Sequence, residues 1–177
     1  MTHSAGEPLP TVLDIEASGF GRGSYPIEIG LARADGSCCA FLVQPLEEWT
    51  HWDPKAELLH GISRERLFQE GYPVRQVACW LNDELSELGK AYSDSWGYDN
   101  TWLSLLFHHA GMLPRFRLEA LRILMTEPQQ ALWSQTKEAI IGDQSIQRHR
   151  AGDDARLLQL TFERTRADLQ SVMTKPS

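Results

Sequence analysis

The sequence predicts an α/β protein whose sheet begins with three antiparallel strands and carries helices on its faces. Two observations support this fold class. Residues 11–44 contain β-branched and aliphatic stretches separated by turn residues, and Asp35-Gly36 is a favoured hairpin dipeptide. From residue 74 onward, stretches with helical periodicity alternate with short strand-like stretches. A meander followed by alternating helices and strands is typical of an α/β sheet.

Three strands are predicted before residue 45. A glycine-rich loop separates the first two strands, and the Asp35-Gly36 turn, with two residues, joins the last two. The first strand opens with β-branched and aliphatic side chains, which favour a pleated and largely buried surface. The predicted strands comprise residues 11–16, 26–34 and 37–44.

Helices and strands are predicted to alternate after an irregular stretch at residues 45–73. Helix 74–88 has a clear pattern because its apolar side chains recur at helical spacing, and Gly89 ends it. Residues 114–126 fit either a fifth strand or a helix, and the sequence leaves this choice open. The remaining predicted elements are a short strand at 90–95 and helices at 100–110, 129–141 and 153–173.

Length and composition fit one globular domain. The chain has 177 residues, of which 42% are hydrophobic and 23% charged, so global disorder is disfavoured. We expect a domain over residues 11–173 with short flanking tails at 1–10 and 174–177. The first ten residues lack the basic start and apolar core of a signal peptide, and no apolar run is long enough to span a membrane. Three cysteines without C-x-x-C spacing favour reduced thiols and a cytoplasmic location.

The net charge of −7 limits the function classes that fit. Tight, sequence-independent binding of duplex nucleic acid usually depends on a basic face, so this composition argues against it. The same charge is compatible with a nucleic-acid enzyme whose acidic centre holds cations.

Asp14 and Glu16 form the first candidate site. Side chains two residues apart in a strand share a face, with Cα atoms about 6.5 Å apart. Two carboxylates buried on one face repel each other, and a divalent cation between them relieves the repulsion. The alternative is an edge strand whose second face is wet. The glycines that follow do not indicate a dinucleotide site, because a strand and not a helix comes after them.

Two later segments carry further acidic candidates. Asp99 precedes a predicted helix and is therefore either a helix cap or a site residue. His149 stands five residues before Asp154, which combines a group that titrates near neutral pH with a carboxylate at the start of the final helix. The alternative is an ordinary loop histidine and an acid that interacts with the helix dipole. Phosphate contacts are expected from the two arginines beside the histidine, Arg148 and Arg150.

In their order along the chain, these motifs resemble those of the DEDDh (DnaQ-like) family of 3′–5′ exonucleases. The resemblance extends from residue 12 to residue 155. One departure is Ala17, which stands where many family members carry threonine. The matching segments are residues 14–19 (DIEASG), 26–30 (PIEIG), 60–62 (HGI), 98–99 (YD) and 149–155 (HRAGDDA).

The resemblance implies a ribonuclease-H-like fold with a mixed five-stranded sheet flanked by helices. It also implies a hydrolase that releases nucleoside 5′-monophosphates from single-stranded 3′ ends, with two divalent ions, Mg²⁺ or Mn²⁺, as cofactors and His149 as general base. The acids implied to bind the ions are Asp14, Glu16, Asp99 and Asp154. The residues expected to contact the terminal nucleotide are Ser18, Gly19, Phe20 and His60.

The expected partners are the 3′ ends of single-stranded DNA or RNA. The sequence leaves open whether a polymerase or another nucleic-acid enzyme is a partner, and it leaves open a homodimer, since some small family members dimerise. The sequence does not separate DNA from RNA, since that choice depends on contacts to the 2′-hydroxyl. The competing hypothesis is a nucleic-acid- or partner-binding module of the same fold with little or no turnover. The presence of all four acids and the histidine argues against it.

Overall fold

A computed structural model describes residues 8–143 and 148–173 of the chain. Residues 1–7 of the predicted N-terminal tail at 1–10, and the whole predicted tail at 174–177, lie outside the described residues. The strands are β1 (Val12–Ala17), β2 (Pro26–Ala32), β3 (Cys38–Leu42), β4 (Lys90–Ser93) and β5 (Arg117–Ala120). The α-helices are α1 (Pro54–His60), α2 (Arg64–Glu70), α3 (Val74–Leu85), α4 (Trp96–Ala110), α5 (Glu127–Asp143) and α6 (Ala151–Met173).

The five strands form one mixed sheet in the order β3-β2-β1-β4-β5. The first three strands pair antiparallel, whereas β4 pairs parallel with both β1 and β5. The predicted sheet with its initial meander is confirmed. Strand β1 lies between β2 and β4, so the alternative of a solvated edge strand for Asp14 and Glu16 is wrong.

The turn between β2 and β3 has three residues and not the predicted two. The Arg33 N–H donates to the Ser37 carbonyl and the Gly36 N–H donates to the Arg33 carbonyl, each at 2.8 Å. Gly36 has a φ of 83°, and the Asp35 side chain accepts a hydrogen bond from the Ser37 N–H. The left-handed glycine adds a bulge to the hairpin, which the dipeptide alone does not specify.

The prediction of an irregular stretch at residues 45–73 is wrong where α1 and α2 lie. Asp53 caps α1 with a side-chain hydrogen bond, and Pro54 occupies its first position. Ser63 caps α2 by accepting a hydrogen bond from the Arg66 N–H at 3.2 Å. Each cap satisfies one of the backbone donors that a first helical turn leaves free. These two capping residues were the sequence signal for the helices.

The other predicted elements are present with shifted ends. Residues 114–126, which fitted either a strand or a helix, contain both β5 and a short 3₁₀ turn at Leu121–Leu124. Helix α4 begins four residues earlier than predicted, at Trp96, so Asp99 lies inside its first turn and not before it. None of the helices in the described part of the chain is long and apolar enough to cross a bilayer.

Alternation along β1 separates the core from the acidic face. Leu13 and Ile15 point into the larger apolar cluster, which includes side chains of α3 and α4. Val12 packs in a smaller cluster with side chains of α6. Asp14 and Glu16 share the face of Val12, because alternate strand residues point the same way. The two acids therefore lie on the α6 side of the sheet.

Helix α6 begins in direct contact with β2. A Cβ atom on Gly30 would lie 2.2 Å from both the carbonyl carbon of Ala151 and the nitrogen of Gly152. No side chain fits in that space, so the glycine is what permits this approach. The close contact sets the position of the first turn of α6 over the sheet.

Candidate active site

A cleft of about 480 Å³ opens over the acidic face of β1. Four parts of the chain deliver acids to it: β1, the first turn of α4, the first turn of α6 and the N-cap of α1, which is Asp53. The loop before α6 adds a histidine. The predicted catalytic residues that line the cleft are Asp14, Glu16, Asp99, His149 and Asp154.

Three of these side chains converge closely. One ligand atom each from Glu16, His149 and Asp154 lies within 4.8 Å of the others. His149 is the one non-glycine residue with a positive φ, 64°, in the described ranges 8–143 and 148–173. This strained backbone, uncommon for a residue with a side chain, turns the chain into the cleft just before α6.

Burial and mutual repulsion disfavour the ionised forms of the acids on β1. Burial raises the pKa of Asp14 well above its usual range, and the charges of Asp99, Glu16 and Asp154 raise it further. Burial, followed by the charge of Asp154, raises the pKa of Glu16 to about 7. A site that holds carboxylates this close together would be stabilised by a bound positive charge.

Asp99 is held by a partner that the sequence did not reveal. The Ser93 hydroxyl, at the end of β4, donates a hydrogen bond to the Asp99 carboxylate. Asp99 is only 2% exposed, and burial raises its pKa to about 7 although the Ser93 hydrogen bond acts in the opposite direction. The hydrogen bond fixes the orientation of this carboxylate in the wall of the cleft.

Both oxygens of Asp154 have partners within the chain. Oδ1 accepts a hydrogen bond from Arg148 Nε at 3.1 Å, and Oδ2 accepts one from the His149 N–H at 2.9 Å. Arg148, which the sequence predicted to contact phosphate, is thus bound to one of the acids. Arg148, Asp14 and Asp154 also line a smaller cavity of about 160 Å³.

Arg150, the second predicted phosphate contact, is bound to Glu28 of β2. Arg150 Nη2 donates to Glu28 Oε1 at 2.5 Å, and Arg150 Nε contacts both carboxylate oxygens at 3.1–3.2 Å. Glu28 belonged to a motif in the sequence, but nothing there indicated this partner. Lys55 is a cation that lines the main cleft and that the sequence did not single out.

The predicted substrate-contact residues are only partly brought together. Gly19, Phe20 and His60 line the cleft, whereas Ser18 does not. The Ser18 side chain is buried, with its hydroxyl hydrogen-bonded to His51 Nδ1 and to the Tyr25 N–H. Ser18 therefore shapes the loop after β1, and its side chain is not brought into the cleft.

His60 lines the cleft and has a buried ring nitrogen without a partner among the described residues. It is 4% exposed, and its Nδ1 accepts a hydrogen bond from the Ile62 N–H at 3.1 Å. Burial lowers the pKa of His60, which favours the neutral ring with its proton on Nε2. No group in the described part of the chain bonds to that Nε2. A buried donor without a partner is costly, so a ligand acceptor in the cleft would satisfy it.

A group of stacked aromatic rings forms one rim of the cleft. Phe20 and Tyr98 are 66% and 57% exposed, and their rings meet edge to face at 5.3 Å. Tyr98 stacks on Trp102 at 5.7 Å, and the Trp102 indole N–H donates to Ser24. The sequence indicated Phe20 alone. The helical spacing of Tyr98 and Trp102, four residues apart on α4, was the available signal for the stack.

The donor set fits a hard divalent cation. Carboxylate oxygens are the ligands that Mg²⁺ and Mn²⁺ prefer, and five carboxylates line this one cleft, the four predicted ones and Asp53. Burial is the main cause of the raised pKa values of Asp14, Glu16 and Asp99, and neighbouring negative charges add to it. A cation bound among these acids would favour their ionised forms.

The sheet order and the flanking helices define a ribonuclease-H-like α/β fold. Solved structures of exonuclease I share it. A zinc-bound complex of the Escherichia coli enzyme with single-stranded DNA matches with a TM-score of 0.68 at 14% identity. A moderately thermophilic exonuclease I from Methylocaldum szegediense matches with a TM-score of 0.73 at 16% identity. No protein-family model and no curated protein matches the amino-acid sequence.

The match includes nearly all of this chain and less than half of the exonuclease I chains. It covers 92% of this chain and 42% of the E. coli chain, and 91% of this chain and 40% of the M. szegediense chain. At these identities the similarity establishes the fold. The residues in the cleft must supply the argument for activity.

Proposed function

We propose that this protein is a metal-dependent 3′–5′ exonuclease that acts on single-stranded DNA. The observation that carries the proposal is the convergence of four carboxylates and a histidine in one cleft of a ribonuclease-H-like fold. The residues are Asp14, Glu16, Asp99, His149 and Asp154. The product would be a nucleoside 5′-monophosphate.

The four acids would hold two divalent ions, Mg²⁺ or Mn²⁺. When bound, such ions supply charge neutralisation to a phosphodiester under attack. Asp14 and Glu16 offer their carboxylates from the rigid central strand. Ser93 orients Asp99 from behind, and the backbone of the loop before α6 orients Asp154.

His149 would take the proton from the attacking water. One of its ring nitrogens lies within 4.8 Å of carboxylate oxygens of Glu16 and Asp154, so a water between them would be within reach of a base. The bend at φ 64° and the hydrogen bond from its own N–H to Asp154 hold the residue there. Imidazole is the side-chain group most often used as a general base in enzymes.

The aromatic rim of the cleft suits the binding of a single-stranded nucleic acid. Phe20 and Tyr98 present exposed ring surface on which bases can stack, and stacking requires no particular base. His60 would donate its free Nε2–H to an oxygen of the terminal nucleotide. Lys55 would contact a phosphate, in place of Arg150, whose guanidinium is bound to Glu28.

Single-stranded DNA is the proposed substrate because of the exonuclease I structures. Those structures include complexes of the E. coli enzyme with dA16 and dT13 oligonucleotides. The stacking rim gives the same preference for unpaired ends. Action on RNA ends, cooperation with a polymerase and formation of a homodimer stay predictions.

A time course on a 5′-labelled single-stranded DNA oligomer tests the proposal. With Mn²⁺ we expect a ladder that shortens from the 3′ end one nucleotide at a time, and release of mononucleotides. A 3′-blocked oligomer and a blunt duplex should be degraded slowly, and Asp14→Asn is the control for contaminating nucleases. Binding of the oligomer without any shortening would instead support a binding module of the same fold. Parallel RNA oligomers decide the sugar preference.

A further inference from the structure

Glu28 lies directly opposite Glu16 in the sheet. The two residues are Cα partners in the antiparallel pairing of β1 with β2. Side chains of directly opposed residues lie on the same face, with Cβ atoms about 5 Å apart. Two like charges in that relationship destabilise a sheet unless a cation is near. Glu28 is therefore the neighbour of a proposed metal-binding acid, although Glu28 itself does not line the cleft.

Arg150 provides that cation and is held firmly. Three contacts of 2.5–3.2 Å join its guanidinium to both oxygens of Glu28. The same carboxylate also accepts the Ala151 N–H at 2.9 Å, at the first residue of α6. Glu28 is 1% exposed, so all of its acceptor capacity is used within the protein. The pair thus ties β2 to the start of α6.

The guanidinium of Arg150 is also within electrostatic reach of Glu16. Because Glu28 is directly opposite Glu16, the guanidinium bound to Glu28 lies about one strand spacing from Glu16. If Glu28 lost its charge, Glu16 would be the next carboxylate available to Arg150. A guanidinium paired with Glu16 would compete with a divalent cation for the same oxygens.

We propose that Glu28 is a positioning residue of the metal site, which keeps Arg150 off Glu16 and so leaves Glu16 available to a divalent cation. The proposal rests on the proposed function in taking the cleft as a metal site. Glu28 acts through Arg150 and touches neither the ion nor the substrate.

Titrations of Mn²⁺ into the full-length protein test this role. The variants are Glu28→Gln, Arg150→Gln and the double variant with both changes. We expect Glu28→Gln to weaken Mn²⁺ binding about 10- to 100-fold, the usual effect of losing a group that orients a metal ligand. Arg150→Gln should not weaken it, because no competing cation remains. The double variant should bind within about threefold of the wild type for the same reason.

The double variant separates this role from simple structural damage. Damage to the sheet or to α6 would persist or increase in the double variant, whereas release of Arg150 onto Glu16 cannot occur there. A double variant as weak as Glu28→Gln, or wild-type affinity in Glu28→Gln, would overturn the proposal. The matched control is Glu84→Gln, which breaks the bidentate Arg33–Glu84 pair outside the cleft and should leave Mn²⁺ affinity unchanged.

Two further measurements keep the result unambiguous. If Glu28→Gln does not fold, Glu28→Asp replaces it: its shorter side chain should raise the Mn²⁺ dissociation constant at least about threefold, and Arg150→Gln should reverse this. An unchanged constant would count against the proposal. Nuclease assays are run separately. Mn²⁺ binding without cleavage would overturn the exonuclease activity alone, and no Mn²⁺ binding by the wild type would overturn both proposals.

Discussion

The backbone N–H of His149 donates a hydrogen bond to the side chain of Asp154 at 2.9 Å. One acid therefore has two tasks: it faces the cleft, and it holds the loop that carries the proposed base. Loss of the Asp154 carboxylate removes both.

We expect Asp154→Ala to be as inactive as the double variant His149→Ala/Asp154→Ala. The loop would lose its anchor in the single variant, so little would be left for the second change to remove. Single-turnover cleavage of a labelled oligomer measures this. Independent losses that add in the double variant would show that the hydrogen bond does not couple the two residues.

His149→Ala should lower the single-turnover rate about 10²- to 10⁴-fold, the usual contribution of a general base. Mn²⁺ affinity and thermal stability should stay at the wild-type level, because a general base is not a metal ligand. The rising limb of the wild-type pH–rate profile should disappear. The short distance from His149 to Glu16 and Asp154 makes a ligand role the alternative. A loss of Mn²⁺ affinity as large as that of Asp154→Ala would establish the alternative.

Arg148→Gln should strengthen Mn²⁺ binding by about three- to tenfold. The Arg148 side chain occupies Oδ1 of Asp154, and a cation at that oxygen must displace it. The metal-free protein should unfold at a slightly lower temperature because the pair is lost. Arg115→Gln, which removes an exposed contact with Asp83, serves as the control. Weaker Mn²⁺ binding would indicate that Arg148 orients Asp154 and does not compete with the metal.

The metal-free protein should lose stability as the pH rises from about 4.5 to about 7, the range set by Glu16. A carboxyl whose pKa is raised by folding favours the folded state below its unfolded pKa, and this contribution is lost as the pH rises through the folded value. Asp99, whose pKa is also raised to about 7, adds to the effect. Thermal unfolding in EDTA across this range measures it.

Saturating Mn²⁺ should reverse this trend, because the ion binds the charged carboxylates of the native state. The unfolding midpoint with Mn²⁺ should exceed the EDTA value most at the upper end of the range. Asp14→Asn should reduce both the loss in EDTA and the gain with metal. A midpoint that Mn²⁺ leaves unchanged at every pH would argue against a native metal site.

Phe20→Ala should raise KM for single-stranded DNA about tenfold or more with a smaller effect on kcat, since stacking of one base contributes about 1–3 kcal/mol. Phe20 is exposed at the rim and contacts Tyr98 and Trp102 without supporting the core. Phe68→Ala removes an exposed ring outside the cleft and should leave KM unchanged. Equal effects of the two substitutions would mean that the rim does not bind the strand.

The sequence predicted the features that depend on local pattern. The strand carrying Asp14 and Glu16, the meander and the clear amphipathic helix α3 follow from short-range periodicity. The capping signals of α1 and α2 were also local, but they introduce helices too short for a periodic pattern to reveal. The bulge at Gly36 was missed because one dipeptide is compatible with turns of different length.

The hydrogen-bond and ion-pair partners of the charged side chains could not be predicted from the sequence. Arg150 was expected to contact phosphate because it stands beside a histidine, but its partner Glu28 is 122 residues away along the chain. Ser93 and Asp99 are near in sequence, yet no motif marks a serine at the end of a short strand as a hydrogen-bond donor to an acid. Which side chains meet depends on how α6 and β4 dock on the sheet. Local sequence patterns do not determine that docking.

The close contact of Gly30 with Ala151 implies that the cleft is complete only after α6 has docked on β2. Strand β2 is made early and α6 late, so a chain emerging from the ribosome presents Asp14 and Glu16 long before the helix that bears Asp154 exists. Before α6 docks, the sheet would hold Asp14 and Glu16 without Asp154, so the proposed metal site would be incomplete. Docking of α6 on β2 is thus the step that would complete the proposed site.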